Sequence, residues 1–507
     1  MQKIFIAFIF FFGGFCYVIS SCNDKQKAIE PEGEKLARTH CIACHAFPDP
    51  SLLDKETWGK DVLPKMAELM YVDAFYTPYN PSGPQGDMPA TRATPGDLFP
   101  YAKWEKIVKY YLMNAPGKQP GRDKELPAIE TGLKNFTPHY LYDKSAFPLT
   151  TLVQFDTSAG RIFFADGGEE KLFVLDSKMK ITDSLRVFTG ATDINLTKNP
   201  ETVISMGILK PSDQKLGRLS YTSKGEIPVV IIDSMQRPVQ ATYADLNNDA
   251  KEDIVISEFG FRQGGLSWFE GDGKGHYKKH LLRAIAGATR TEVNDLNKDG
   301  KPDIIALMAQ GDEAIFVYYN LGDGKFKEER VLQFPPVYGS NYFQLFDFNK
   351  DGFMDILVTN GDNADYSIVV KAYHGIRIFL NDGKNHFEEK TFLPVYGAQK
   401  AIPADMDNDG DIDLVSIAFF PDYEKLPQES FIYWENTGDN TYKRYTFEGV
   451  TDGRWVTMDV GDMDKDGDKD VILGNALFTF GNVPESLKDK WNKRPLSIVV
   501  LENTLNK

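Results

Sequence analysis

Residues 405–413 read Asp405-Met406-Asp407-Asn408-Asp409-Gly410-Asp411-Ile412-Asp413, and Leu-Val-Ser follows at once. Side-chain oxygens stand at positions 1, 3, 5 and 9, and a glycine stands at position 6. The pattern returns at Asp462, Asp464, Asp466, Gly467 and Asp470, before Val-Ile-Leu. Three earlier copies place Asn at position 3. Asp347, Asn349, Asp351, Gly352 and Asp355 precede Ile-Leu-Val, and Asp295, Asn297, Asp299, Gly300 and Asp303 precede Ile-Ile-Ala. Asp245, Asn247, Asp249 and Asp253 precede Ile-Val-Ile, with Ala250 where the others have glycine. The first aspartates step by 50, 52, 58 and 57 residues. Between them recur strand–turn–strand segments: WFEGDGKGHYKKH (268–280), YYNLGDGKFKEER (318–330), FLNDGKNHFEEKT (379–391) and YWENTGDNTYKRY (433–445). Each has an aromatic strand, a Gly/Asn/Asp turn and a second strand.

A repeat near 50 residues, all β with regular turns, predicts propeller blades. Residues 149–505 hold about seven such units. The first two are degenerate: 153–176 keeps the strands without the acidic loop, and 191–207 keeps traces of it. The five later repeats resemble the FG-GAP/VCBS family and the integrin α-subunit propeller through D-x-[DN]-x-D-G-x-x-D. Ala250 departs from that pattern and puts the turn of the first loop in doubt.

The spacing suits calcium. Oxygens at positions 1, 3, 5 and 9, with the carbonyl at 7, can surround a hard cation that takes six to eight oxygen ligands. Gly at position 6 permits the backbone reversal. The loops start like an EF-hand loop but end at Asp in position 9, and a strand follows instead of a helix. Together they offer up to five calcium sites. The competing reading is Asp-rich turns whose side chains cap their own backbone.

The chain has 507 residues, with 57 Lys+Arg against 73 Asp+Glu, a net charge of −16. The loop carboxylates account for most of that acidity. It argues against nucleic acid as a partner, because phosphate binding needs clustered Lys and Arg. The four cysteines are Cys16, Cys22, Cys41 and Cys44, which rules out a disulfide scaffold beyond residue 44.

Residues 4–19, IFIAFIFFFGGFCYVI, follow Lys3 and form a signal-peptide core. Ser20-Ser21-Cys22 resembles a bacterial lipoprotein cleavage site. The resemblance implies removal of residues 1–21, lipidation of Cys22 and a membrane anchor. The mature chain is then expected in the cell envelope, periplasmic or at the cell surface.

Cys41-Ile42-Ala43-Cys44-His45 is the C-x-x-C-H pattern of covalent haem c attachment. Cys41 and Cys44 are the thioether positions, and His45 is the iron ligand. A redox dithiol would want a βαβ context, and zinc would want a second Cys/His pair. Helices are expected over 32–41, 54–70 and 103–114, with a kink or break at Pro64. Residues 30–117 resemble a class I cytochrome c, in which Met88-Pro89 would provide the sixth ligand. The stretch also resembles bacterial cytochrome–repeat fusion proteins through Cys44, His45, Pro48, Asp49, Pro50, Leu53, Trp58 and Leu63-Pro64-Lys65-Met66, which points to Met66. Met70, Met113 and His139 are further candidates.

The expected organisation is a signal peptide (1–21), an all-α cytochrome c-like domain (22–117), a linker (118–148) and an all-β propeller (149–507). Three readings remain open, so whether the chain is an enzyme stays undecided. The preferred one is a c-type cytochrome passing single electrons to a redox protein partner. Its propeller would dock that partner or an extracellular ligand such as a glycan. The second is a quinone-dependent propeller dehydrogenase feeding its fused haem. That reading needs a base from His276, His280, His374 or His386. The third is an adhesion or structural lipoprotein.

Overall fold

The computed structural model describes residues 32–43, 45–72, 98–122, 126–142, 147–362, 367–438, 441–478 and 481–506. Residues 1–21, Cys22, Cys44 and Met88 lie outside them.

Seven antiparallel blades follow one another around an axis. Their first strands are Thr150–Asp156, Ala191–Asn195, Pro238–Ala244, Ala288–Asn294, Ser340–Phe346, Ala398–Ala404 and Trp455–Gly461. These seven contact one another in a closed ring, which makes them the inner strands. Ring neighbours do not pair as a sheet, so side chains satisfy their backbone groups instead. Asp193 accepts from the Ala241 N–H (2.9 Å), Gln240 from Thr291 (2.8 Å), Glu292 from Leu345 (3.1 Å) and Asp459 from Phe155 (2.9 Å). Lys400 Nζ donates to the Met458 carbonyl at 2.7 Å. Burial near the axis pushes Lys400 down to about 8 and raises Asp193 and Asp459.

The second strand of each acidic-loop blade is apolar without alternation because both its faces meet a neighbouring blade. In blade 3, Ile254 and Ile256 pack toward blade 2, and Val255 between them packs toward blade 4. The strands after the five loops are buried along their whole length.

The stretch 118–148, expected as a linker, contributes two strands to the propeller. Ile129–Thr131 adds a parallel fifth strand to blade 6, with Ile129 opposite Arg444. Phe136–Tyr142 is the outermost strand of blade 7, antiparallel to Leu496–Asn503. Both ends of the propeller sequence thus meet in one sheet and close the ring.

The N-terminal region is helical. Glu32–His40 crosses Tyr101–Asn114 at Gly33, where an added Cβ would come within 2.3 Å of the Lys106 carbonyl. The stretch around Pro64 does not break. A π turn over Trp58–Val62 lets the Leu63 N–H reach back to the Trp58 carbonyl, and Pro64 falls in the first turn of Leu63–Leu69. Its missing N–H is unneeded there. Ala37, Leu53, Trp58, Ile107 and Tyr111 form the core, against which Val337, in the connection from blade 4 to blade 5, and Val369 of blade 5 also pack. Arg122 ties the connecting segment to blade 6 through two 2.7 Å bonds to the fully buried carboxylate of Glu429.

Candidate functional site

Cys41 opens a short 3-10 turn that extends the first helix, and Tyr111 neighbours its thiol. His45 Nδ1 lies 2.8 Å from the Ala46 carbonyl. A carbonyl only accepts, so Nδ1 carries the proton and Nε2 keeps the lone pair. Burial lowers the pKa of His45, so the ring is held in its neutral, metal-ligating form.

The following loop is pinned from below. The Tyr111 hydroxyl donates to the Pro48 carbonyl (2.8 Å), and Trp58 Nε1 donates to that of Pro50 (2.9 Å). Asp49 caps the turn through Ser51 N at 2.8 Å. Pro48, Asp49, Pro50 and Trp58, four of the residues that carried the fusion-protein resemblance, therefore take part in holding the segment after His45. Met66 and Met70 pack against the same helical core. Met113 is 68% exposed, and His139 pairs with Glu502 on blade 7.

The acidic loops join the first and second strands of blades 3 to 7 and so share one face of the propeller. Each position-9 aspartate begins the second strand and is fully buried. Asp253 accepts from the N–H groups of Leu246 (3.0 Å) and Gly271 (2.8 Å). Asp470 does the same with Met463 (2.7 Å) and Asn503 (2.8 Å). Asp303, Asp355 and Asp413 repeat the arrangement. This second, structural role of position 9 is not visible in the spacing alone.

Ala250 keeps the turn its sequence put in doubt. Its φ is +61°, against +84° to +94° for the glycines at the same position in the other four loops. Position 4 is also left-handed in every copy: Asn248, Lys298, Lys350, Asn408 and Lys465. Three of these residues are lysines, and each reaches the next blade. Lys298 donates to the Gly352 carbonyl, Lys350 to Gly410 (2.7 Å) and Lys465 to Ser158 (2.7 Å).

The five loops differ in charge geometry. In the first three, the position-1 carboxylate holds the N–H groups of positions 5 and 6, as Asp245 does with Asp249 (3.1 Å) and Ala250 (2.8 Å). Asp295 and Asp347 match it. Lys251 and Lys301 pair with Asp249 and Asp299. In the last two loops, three carboxylates converge: Asp405, Asp407 and Asp413, then Asp462, Asp464 and Asp470, with oxygens within 4.8 Å of one another. Asp405 Oδ1 and Asp468 Oδ1 are buried without a hydrogen-bond partner. Burial raises Asp413 to about 6 and Asp470 to about 7, and neighbouring carboxylates add to both. Such an all-oxygen, mutually repelling set fits a hard divalent cation.

The propeller histidines do not gather into a catalytic group. His276 and His386 bond Asp272 and Asp382 in exposed outer hairpins, and His280 pairs with Glu270 while stacking on Trp268. His374 is buried in blade 5.

A family model for FG-GAP-like repeats matches residues 245–306, 295–358 and 359–416. No curated protein matches the chain. Among solved structures, an Agrocybe aegerita lectin specific for non-reducing terminal N-acetylglucosamine is 16% identical, covering 72% of this chain and 97% of that one, with a TM-score of 0.38. The N-terminal domain of Nup159 is 13% identical over 76% and 100% of the two chains, with a TM-score of 0.41. A catalytically inactive virginiamycin B lyase from Staphylococcus aureus with quinupristin is 11% identical over 72% and 99%, with a TM-score of 0.44. Likenesses this remote carry no functional argument. The chain carries FG-GAP-like repeats within a seven-bladed β-propeller.

Proposed function

We propose that this protein is a c-type cytochrome anchored in the cell envelope, which exchanges single electrons with a redox protein docked on its calcium-stabilised propeller. The supporting observation is His45. Its Nδ1 is committed to a backbone carbonyl, its ring is neutral, and it follows Cys41 in a loop pinned by Tyr111 and Trp58.

Cys41 and Cys44 would hold haem c covalently, with His45 as one iron ligand and Met66, or else Met88, as the other. Bound there, haem supplies a one-electron couple, and a thioether ligand raises its potential. Tyr111 and Trp58 fix the His45 loop so that little rearrangement accompanies a change of charge. Lipidation of Cys22 would keep the protein on a membrane surface, periplasmic or facing outward.

The acidic loops would take up to five calcium ions, those of blades 6 and 7 first. There the ion would offset the repulsion of converging carboxylates and fix the platform's loop face. An extracellular ligand such as a glycan is the other occupant such a platform could receive.

The test is haem reduction in the full-length protein. Small redox proteins should exchange electrons with it rapidly. Sugars, alcohols and aldehydes, with or without quinone cofactor and calcium, should not reduce it. Substrate-dependent reduction would make it a dehydrogenase instead.

A further inference from the structure

The acidic loop of blade 7 departs from its counterparts at position 7. That position carries Lys251, Lys301, Phe353, Asp411 and Asp468 in blades 3 to 7. The spacing asks only for its backbone carbonyl, so the side chain is free to turn outward. Asp411 does so and is exposed. Asp468 is fully buried, although it is the same residue at the same position.

The chain beyond the last strand holds Asp468 inward. The Asn506 N–H donates to Asp468 Oδ2 at 3.1 Å, and Asn506 Nδ2 donates to the Asp466 carbonyl at 3.2 Å. Asp468 Oδ1 is left buried without a hydrogen-bond partner. Its surroundings are anionic. The Asp468 carboxyl group lies within hydrogen-bonding reach of the Asp466 carboxylate, and Asp464 and Asp470 are close enough to repel it. Asp464 Oδ1 and Asp466 Oδ2 are also out of water. The oxygens of Asp462, Asp464 and Asp470 already converge within 4.8 Å. A dehydrated oxygen among like charges is costly twice over, and a cation at the shared point relieves both costs.

We propose that Asp468 is a side-chain ligand of the blade 7 cation, added to the four carboxylates at positions 1, 3, 5 and 9. This rests on the calcium reading above. Oδ1 meets the ion while Oδ2 keeps the Asn506 N–H, so one residue joins the metal to residues 504–506. The Thr504 N–H donates to the Asn135 carbonyl at 2.6 Å, immediately before the closing strand Phe136–Tyr142. The ion therefore fastens the seam where the two ends of the propeller sequence meet.

Full-length parent, Asp468→Asn and Asp411→Asn are titrated with calcium by calorimetry. Each is also unfolded by urea in excess calcium and in chelator, and hydrogen exchange is followed over residues 496–506. Asparagine keeps an acceptor for Asn506 and removes the charge. In chelator, Asp468→Asn should unfold at a urea concentration equal to or above the parent's, because one repelling charge is gone. In calcium it should unfold earlier than the parent. One calcium-binding step should weaken about tenfold, and the slowing of exchange that calcium brings to residues 504–506 should disappear. Asp411→Asn should stay close to the parent in every measurement. Calcium binding that Asp468→Asn changes no more than Asp411→Asn does overturns the proposal and leaves the calcium reading standing. So does a loss of stability in Asp468→Asn that is equal in chelator and in calcium, which marks a purely structural role. A parent that binds no calcium overturns both.

Discussion

Removal of calcium should weaken the propeller, and the loops of blades 6 and 7 should account for most of the loss. A cation that binds only the folded chain stabilises it by about 2.7 kcal/mol at a hundredfold excess over its dissociation constant. Asp405, Asp407 and Asp413 form one such cluster, and Asp462, Asp464 and Asp470 form the other. Two sites therefore give about 5 kcal/mol at that excess. Asn503 Nδ2 donates to the Met406 carbonyl at 2.9 Å, which links the end of blade 7 to the loop of blade 6. Filling one site should favour the other. Urea unfolding of full-length protein in excess calcium, in chelator and in excess magnesium reads this directly. Asp407→Asn or Asp464→Asn removes one converging carboxylate. A resulting tenfold loss of affinity removes about 1.4 kcal/mol of the calcium-dependent part. The same change at Asp249, whose carboxylate already pairs with Lys251, should alter that part much less. An unfolding curve indifferent to thorough chelation, or fully restored by magnesium, refutes the reasoning.

Ala250→Gly should raise stability by about 0.5–1 kcal/mol, because Ala250 occupies a left-handed conformation that glycine adopts without strain. Gly300→Ala, at φ +84°, should lower it, and urea midpoints of the two variants give the sign. Glu313 of blade 4 is buried, accepts from Ser340 N and Oγ, and is pushed up by burial to about 8. The folded state therefore favours its protonated form. The contribution is complete below about pH 4.5 and is lost as pH rises through 8, on the order of 5 kcal/mol in total. Glu313→Gln should flatten that part of the pH–stability profile and leave the variant more stable than the parent at pH 9. A profile with an unchanged slope contradicts this.

Much of the propeller was legible because its information is local and periodic. The Asp loops mark the step from inner to second strand, and the apolar runs after them record burial on both faces. The closing strand was not legible. Phe136–Tyr142 lies on the outer edge of blade 7, where exposure erases alternation, and its Pro138 speaks against a central strand. Its place is set by a partner more than 350 residues away in the chain. The continuity of the helix through Pro64 was not legible for a different reason. A π turn shifts the hydrogen-bond register by one residue, and no propensity reports that.

At the sites, motif spacing located His45 and the acidic loops. It could not separate loops whose carboxylates converge from loops closed by Lys251 or Lys301. Nor could it set His374 apart from the other propeller histidines, because its full burial appears only in the fold.

The central claim is covalent haem at Cys41, Cys44 and His45. Protein matured in an export-competent host should keep its haem stain after denaturing electrophoresis. The double variant Cys41→Ser, Cys44→Ser should lose the stain while its propeller still unfolds cooperatively. A stained band that persists in the double variant, or a parent protein that never stains, would contradict the account.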